Sequence, residues 1–264
     1  MPPRPRSRVV PTLALLLTLG ACTPAAPAPT EGPPDTPSPT TPTTGAPPVR
    51  AELAAGDVTL EVTAPPPPGD DPPLDVSTDA GADTATLTVD AAALADAGDG
   101  PGAAVARLAL TSAGTLEPHP DGSVTVRDDD GPVGGLSAPR GARLVAVDAT
   151  HLELRPTSAT AEHDEVTTVL GTAAVAGTDW GDREGGRSLA VVPTDWAREA
   201  GQAGTDLVWA ELVAADPGVD SATMHDQLEC HAIGAPDKDS WNLEPWRPDV
   251  GLVATMAARC NPTP

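Results

Sequence analysis

Phenylalanine and tyrosine are absent from this 264-residue chain, and lysine occurs once, at Lys238. Without those rings, a core must be filled by Leu, Val and Ala, which bury less apolar area per residue. The exceptions are five tryptophans, Trp180, Trp196, Trp209, Trp241 and Trp246, all at or beyond position 180. That asymmetry predicts two regions of different make-up. Basic residues are scarce as well, 15 against 38 acidic, for a net charge of −23. Nucleic-acid binding relies on Lys and Arg neutralising phosphates, and anionic lipid heads attract basic segments, so both partners are disfavoured. Long hydrophobic runs are also missing. The clearest, Val9 to Leu19, is interrupted by Pro11 and falls short of the roughly 20 apolar residues that a spanning helix needs.

Compact catalytic and metal motifs are lacking too. There is no Gly-x-Ser-x-Gly, Ser-x-x-Lys or His-Glu-x-x-His, and no Cys-x-x-Cys for a structural zinc. Asp128-Asp129-Asp130-Gly131 has part of a calcium-loop pattern, but its first and twelfth positions would be Val126 and Ser137. A surface turn is expected there instead. His225 and His231 lie six apart, on roughly opposite faces of a helix, and read as structural or surface residues. No metal, cofactor or catalytic activity is expected from these patterns.

The N-terminus is more informative. Arg4, Arg6 and Arg8 precede the apolar run, which ends in Leu19-Gly20-Ala21-Cys22. A basic start, a short apolar segment and small residues at a cleavage site make a secretory signal. The pattern resembles the bacterial lipoprotein signal, whose lipobox ends in a cysteine after small residues. The resemblance implies cleavage before Cys22, acylation of that residue, and tethering on the outer face of the cytoplasmic membrane, facing the cell wall. The alternative is an ordinary secreted protein with Cys22 by chance. Removing residues 1–21 takes three arginines and no acid, leaving 12 basic and 38 acidic residues and a net −26. Residues 22–49 are dominated by Pro, Thr and Ala, a composition that cannot bury enough apolar surface to fold. In extended polyproline form such a tether reaches on the order of 80 Å.

Of three cysteines, lipidation of Cys22 leaves Cys230 and Cys260. In an oxidising compartment these are expected to pair rather than remain separate thiols.

From 50 to 160 the pattern reads as a β-rich domain. Val58–Val62 and Thr86–Asp90 alternate apolar and polar residues, and Val105–Leu110 is a third candidate. Asp121-Gly122 lies between Thr115-Leu116 and Val124–Val126, a hairpin signal. Leu144–Val147 and Leu152–Leu154 flank Asp148. Ala91–Ala97 is the single helical hint. The stretch comprising Asp121–Val126, Gly134-Gly135, Ala138-Pro139 and Val147–Ala149 resembles a segment of actinobacterial secreted proteins and implies no activity.

Residues 165–264 form the second expected domain. Leu189–Val192 and Leu207–Val213 read as strands, with Asp195 capping a short turn through Trp196. Asp220-Ser221 reads as an N-cap for a helix through His231, with Met224 and Leu228 on one face and Gly234 stopping it. Trp241–Pro248 reads as a loop, and Leu252–Arg259 as a last element. The expected class is α+β, β-rich, with a small antiparallel β domain followed by a disulfide-closed α+β C-terminal domain.

The tail, with Cys230-His231, Trp241-Asn242-Leu243-Glu244-Pro245-Trp246-Arg247-Pro248 and Arg259-Cys260-Asn261-Pro262, resembles an actinobacterial extracellular domain of unknown function, the family numbered 2599. That resemblance implies a domain boundary and a disulfide but no mechanism. Trp241, Asn242, Glu244, Trp246 and Arg247 are the candidate binding residues, since indoles beside Arg and Asn can stack on and hydrogen-bond a sugar or peptide. The competing expectation is that the tryptophans fill a core short of other aromatics. The functional expectation is a non-enzymatic lipoprotein binding module of the cell envelope, its partner a cell-wall glycan or an envelope protein. The alternative is a cell-wall-active hydrolase of unfamiliar type, using His231 with Glu244 or Asp239 in one cleft.

Overall fold

A computed structural model describes residues 46–66, 73–78, 83–90, 103–157, 165–183 and 185–263. The signal segment, Cys22, nearly all of the tether and the expected Ala91–Ala97 helix lie outside them.

Eleven strands come first among the described residues, in two antiparallel sheets. One runs in the order β1 (Val49–Ala55), β2 (Val58–Ala64), β5 (Ala106–Leu110), β10 (His151–Pro156), β9 (Ala142–Ala146). The other runs β3 (Leu74–Thr78), β4 (Thr84–Asp90), β11 (Glu165–Gly171), β8 (Pro132–Leu136), β7 (Val124–Arg127), β6 (Thr115–Pro118). Period-two sequence produces this arrangement: in β2 and β4 every second residue is buried, as a sheet with one face on a core requires. Leu53, Leu60, Leu108, Leu152 and Leu154 of the first sheet share one apolar cluster with Leu87, Val89, Val126, Leu136 and Leu170 of the second. The result is a sandwich whose core contains no aromatic ring. Burying each such side chain stabilises by about 1.5–3 kcal/mol.

Beyond Gly171 the chain builds a different layer. Strands β12 (Val175–Arg183), β13 (Gly186–Pro193) and β14 (Trp241–Leu243) form a third antiparallel sheet. Helices α1 (Asp195–Glu199), α2 (Gln202–Ala215), α3 (Ala222–Gly234) and α4 (Leu252–Ala257) pack with it, α2 and α3 being joined through a 3-10 turn at Pro217–Val219. A second core gathers Leu189, Val191, Trp196, Leu207, Leu212, Met224, Leu228 and Trp241. No described helix is long and apolar enough to cross a membrane.

The expected α+β class is corrected by this architecture. The fold is β-rich, with three antiparallel sheets and few helices. Every described element before Pro193 is a strand, and the helices that follow are minor. Leu207–Val213, expected as a strand, is helical and belongs to α2. Its mostly apolar run, interrupted by Glu211, is uninformative alone, but Ala203, Leu207, Val208 and Leu212 are buried at helical spacing, Ala203 to Leu207 and Val208 to Leu212 each four apart. Trp241–Leu243, expected in a loop, pairs with β13 in the register Val191 to Trp241 and Leu189 to Leu243. Thr194 rather than Asp195 caps α1, its hydroxyl accepting from Ala197 N at 3.2 Å. Ser221 caps α3 as expected, accepting from Met224 N.

Two joints connect the sandwich to the helical layer. The Trp196 indole lies flat against Gly171, where a Cβ would sit 2.2 Å from the ring, and Trp196 Nε1 donates to Val169 O at 3.2 Å. The second joint is a long-range helix cap. Gly201, at φ +64°, starts α2, and the Asp121 carboxylate of the β6–β7 turn accepts from Gln202 N at 2.7 Å. Ser123 Oγ accepts from Ala203 N at 3.2 Å. Together they satisfy two of the four N–H groups that a helix start leaves open.

Candidate binding cleft

The tail motif forms interior structure. Trp241 is 1 % exposed, and its Nε1 donates to Ala235 O at 3.1 Å. Gln227 clasps the Glu244 backbone from α3, its Nε2 donating to Glu244 O and its Oε1 accepting from Glu244 N, both at 3.0 Å. Glu244 and Arg247 form a buried ion pair, and Arg247 also donates to Pro262 O at 3.1 Å. Cys230 and Cys260 are joined, with Cα atoms 5.5 Å apart. The expected binding face is corrected accordingly. Of its five residues, Trp241, Glu244 and Arg247 are buried and Asn242 is half-buried, while Trp246 alone is exposed, at 39 %. The cause is the missing Phe and Tyr, which leaves tryptophan to fill the second core.

His231 does not meet Glu244 or Asp239 in a cleft. It is 3 % exposed, and its Nε2–H donates to Asn242 O at 3.1 Å. Burial is the main cause holding its pKa down to about 4, against the opposing bond to Asn242. The neutral imidazole is a core residue of α3.

A different set of side chains converges where α2 crosses the β6–β7 hairpin. Here a cleft of about 840 Å³ opens, lined by Glu117, His119, Arg127 and Asp130 on the hairpin side. Facing them from α2 are Gln202, Asp206, Trp209, Ala210 and Val213, with His225 of α3 beside them. The α2 residues are spaced as one helical stripe, Gln202 to Asp206 to Ala210 and Trp209 to Val213 at four-residue steps, so they share one face.

One end of the cleft is a fixed polar network. The buried Thr125 hydroxyl donates to Asp206 Oδ2 at 3.0 Å. Since a hydroxyl has one hydrogen, His119 Nε2 must be the donor in its 2.7 Å bond to Thr125 Oγ1. His119 Nε2 also lies 3.4 Å from Asp206 Oδ2, and Gln202 Nε2 donates to Asp206 Oδ1 at 2.8 Å. The tautomer of His119 is thereby set, and its Nδ1 has no partner among the described residues. At the other end, Trp209 and His225 meet edge to face, with ring centroids 4.7 Å apart. Arg127 pairs with Glu117 at 3.3 Å across the hairpin. Such a site can hold a ligand with an apolar ring face and several hydrogen-bonding groups, its polar partners ordered beforehand.

None of the cleft residues belongs to a recognisable sequence motif, and the two walls are about 80 positions apart in the chain. The one available signal was the four-residue spacing from Gln202 to Asp206 to Ala210, which a strand reading of Leu207–Val213 conceals. Asp121, beside the cleft, shows how tightly this joint is made. Burial alone would raise its pKa, but bonds from Gln202 N–H and from the Ser123 hydroxyl and N–H hold it below the ordinary carboxylate value.

Curated relatives match part of the chain. Uncharacterized proteins of Mycobacterium tuberculosis and Mycobacterium bovis are each 42 % identical over 93 residues, which is 32 % of this chain and 63 % of theirs. An uncharacterized protein of Mycobacterium leprae is 41 % identical over 61 residues, 22 % of this chain and 50 % of its own length. The chain thus spans under two thirds of the relatives it matches. Residues 175–263, which hold the α2 and α3 wall of the cleft and both paired cysteines, match the family described as a protein of unknown function, number 2599.

Proposed function

We propose that this chain is an exported envelope lipoprotein, held on the outer face of the cytoplasmic membrane by lipid on Cys22. Its folded part is a non-enzymatic binding module, and its ligand seat is the cleft between α2 and the β6–β7 hairpin. The observation that carries this reading is the preset network of His119, Thr125, Asp206 and Gln202 opening beside Trp209. Binding sites combine apolar surface with a few polar groups fixed in advance, and this cleft has both. The anchor follows from the Leu19–Cys22 pattern, and two or three acyl chains, at about 0.8 kcal/mol per buried CH₂, hold such a protein firmly. The long tether suits a module that reaches into the cell wall.

Cys22→Ser expressed in an actinobacterial host should move the protein from the membrane fraction to the medium; retention in the membrane would refute the anchor. For the seat, the mature chain should sediment with isolated cell-wall glycan. Trp209→Ala should lose that binding and Trp246→Ala keep it. The reverse pattern would move the seat to the exposed tail tryptophan.

A further inference from the structure

The cleft is unevenly charged. Asp130 and Asp220 line it, both are exposed, and neither carboxylate has a partner among the described residues. Arg127, the lining arginine, is taken up by Glu117 at 3.3 Å. His119 spends its Nε2–H on Thr125. The cleft therefore offers free anionic charge, an indole and a hydroxyl-matching network, with no uncommitted Arg or Lys. Without an uncommitted Arg or Lys among its described lining residues, the cleft disfavours sulfated, phosphorylated or uronic-acid ligands and attracts an ammonium group.

The walls also discriminate between polymer types. A peptide that docks as an added strand is held largely through its own backbone and needs an unpaired strand edge. Here the hairpin backbone is paired between β6 and β7, and Leu116 N–H, on the outer side of β6, already donates to Ala149 O at 2.7 Å. What remains for a ligand is side chains: an indole, His119 Nδ1, Gln202 and the carboxylates. A sugar ring, with one C–H face and a rim of hydroxyls, matches that set.

On the reading of the cleft as a ligand seat, we infer that it binds a glycan carrying free amino groups, with a sugar ring on Trp209 and its ammonium drawn to Asp130 and Asp220. The test uses the mature chain and three tetrasaccharides in calorimetric titration at about pH 6: a glucosamine, an N-acetylglucosamine and a galacturonate tetramer. The glucosamine tetramer should bind on the order of tenfold tighter than its N-acetyl counterpart, and the galacturonate tetramer should not bind. Added salt should weaken the first and leave the second unchanged. Asp130→Asn with Asp220→Asn, both on exposed positions, should erase the preference for the amine while leaving N-acetylglucosamine binding intact. Trp209→Ala should abolish binding of both.

Equal or tighter binding of the galacturonate tetramer would overturn the inference. So would saturation of the same site by trilysine, with loss in Trp209→Ala, in the absence of any sugar binding, since the ligand would then be a basic peptide. Failure of all three sugars while Trp209-dependent sedimentation with cell wall persists would refute the amino-glycan assignment and leave the seat standing. Indifference of both assays to Trp209→Ala would refute the two together.

Discussion

Two cores, one purely aliphatic and one that adds tryptophan to its aliphatic residues, sit side by side in this chain. Between Val49 and Gly171, Leu, Val and Ala from two facing sheets make one large aliphatic cluster. From Ala174 onward the interior is organised around tryptophans, a methionine and a disulfide. The first region spreads its burial over many small side chains, each contributing modestly. The second gathers fewer described buried residues and adds a few strong groups: Trp241, the Gln227 clasp on Glu244, the Glu244–Arg247 pair and the Cys230–Cys260 bond. Small cores commonly need such reinforcement, because the buried fraction of surface falls with size. The proposed ligand seat lies at neither core but at the seam, where the hairpin of one meets a helix of the other.

The comparison is broken most severely by removing the large ring. Trp241→Ala should cost about 3–5 kcal/mol and Leu154→Ala about 2–5 kcal/mol, by lost transfer energy plus the cavity left behind. Because all five indoles lie in the second region, tryptophan emission should report the first variant directly. Far-UV circular dichroism, dominated by strands, should report the second. Coincident transitions in both probes for both variants would mean that the two cores unfold as one.

Cutting the cross-link comes next. With Cys230 and Cys260 separated by 30 positions in sequence, the loop-closure model gives about 3–4 kcal/mol. Cys230→Ala with Cys260→Ala should lower the midpoint of the fluorescence transition more than that of the dichroism transition. An equal shift would show that the bond stabilises the whole unit.

Acid should separate the regions too. His231 is held near pKa 4 in the folded chain against an ordinary value near 6.5. Its contribution is therefore complete above pH 6.5 and is lost progressively as pH falls towards 4, because the unfolded chain takes up the proton first. At about 1.4 kcal/mol per unit this approaches 3 kcal/mol. Asp121, held below its ordinary value, adds a loss of the same sign at lower pH, as its carboxylate is protonated. Denaturant titrations of wild type and His231→Gln, which keeps a donor for Asn242 O, should differ in slope only across that upper window. Parallel curves would exclude His231 as the sensor.

The smallest effect belongs to the seam. Asp121→Ala removes one of the two capping groups on α2 and should cost about 1 kcal/mol, as N-cap losses do. It should also lower cleft affinity, since α2 carries Asp206 and Trp209.

Much of the sandwich could be read from residues, because alternation in Val58–Val62 and Thr86–Asp90 is a local signal with one structural meaning. The Asp121-Gly122 turn was legible for the same reason, although it closes a longer loop, from His119 to Ser123, between Pro118 and Val124. The Ser221 cap and the disulfide were also within reach. The helix containing Leu207–Val213 was not, since a short apolar run fits a buried strand as well as a helix. The tail motif misled for a physical reason: Trp and Arg suit binding and packing alike, and burial is decided by the rest of the core. The cleft was illegible altogether, because its partners meet only through tertiary contact between His119 and Asp206.

With five tryptophans in the whole chain, indole N–H resonances offer a direct test of where ligand sits. In a titration of the mature protein with soluble fragments of cell-wall glycan, the Trp209 signal should shift, while those of buried Trp241 and exposed Trp246 stay in place. Movement of Trp246 or Trp241 with Trp209 unchanged would contradict the assignment of the cleft as the binding site.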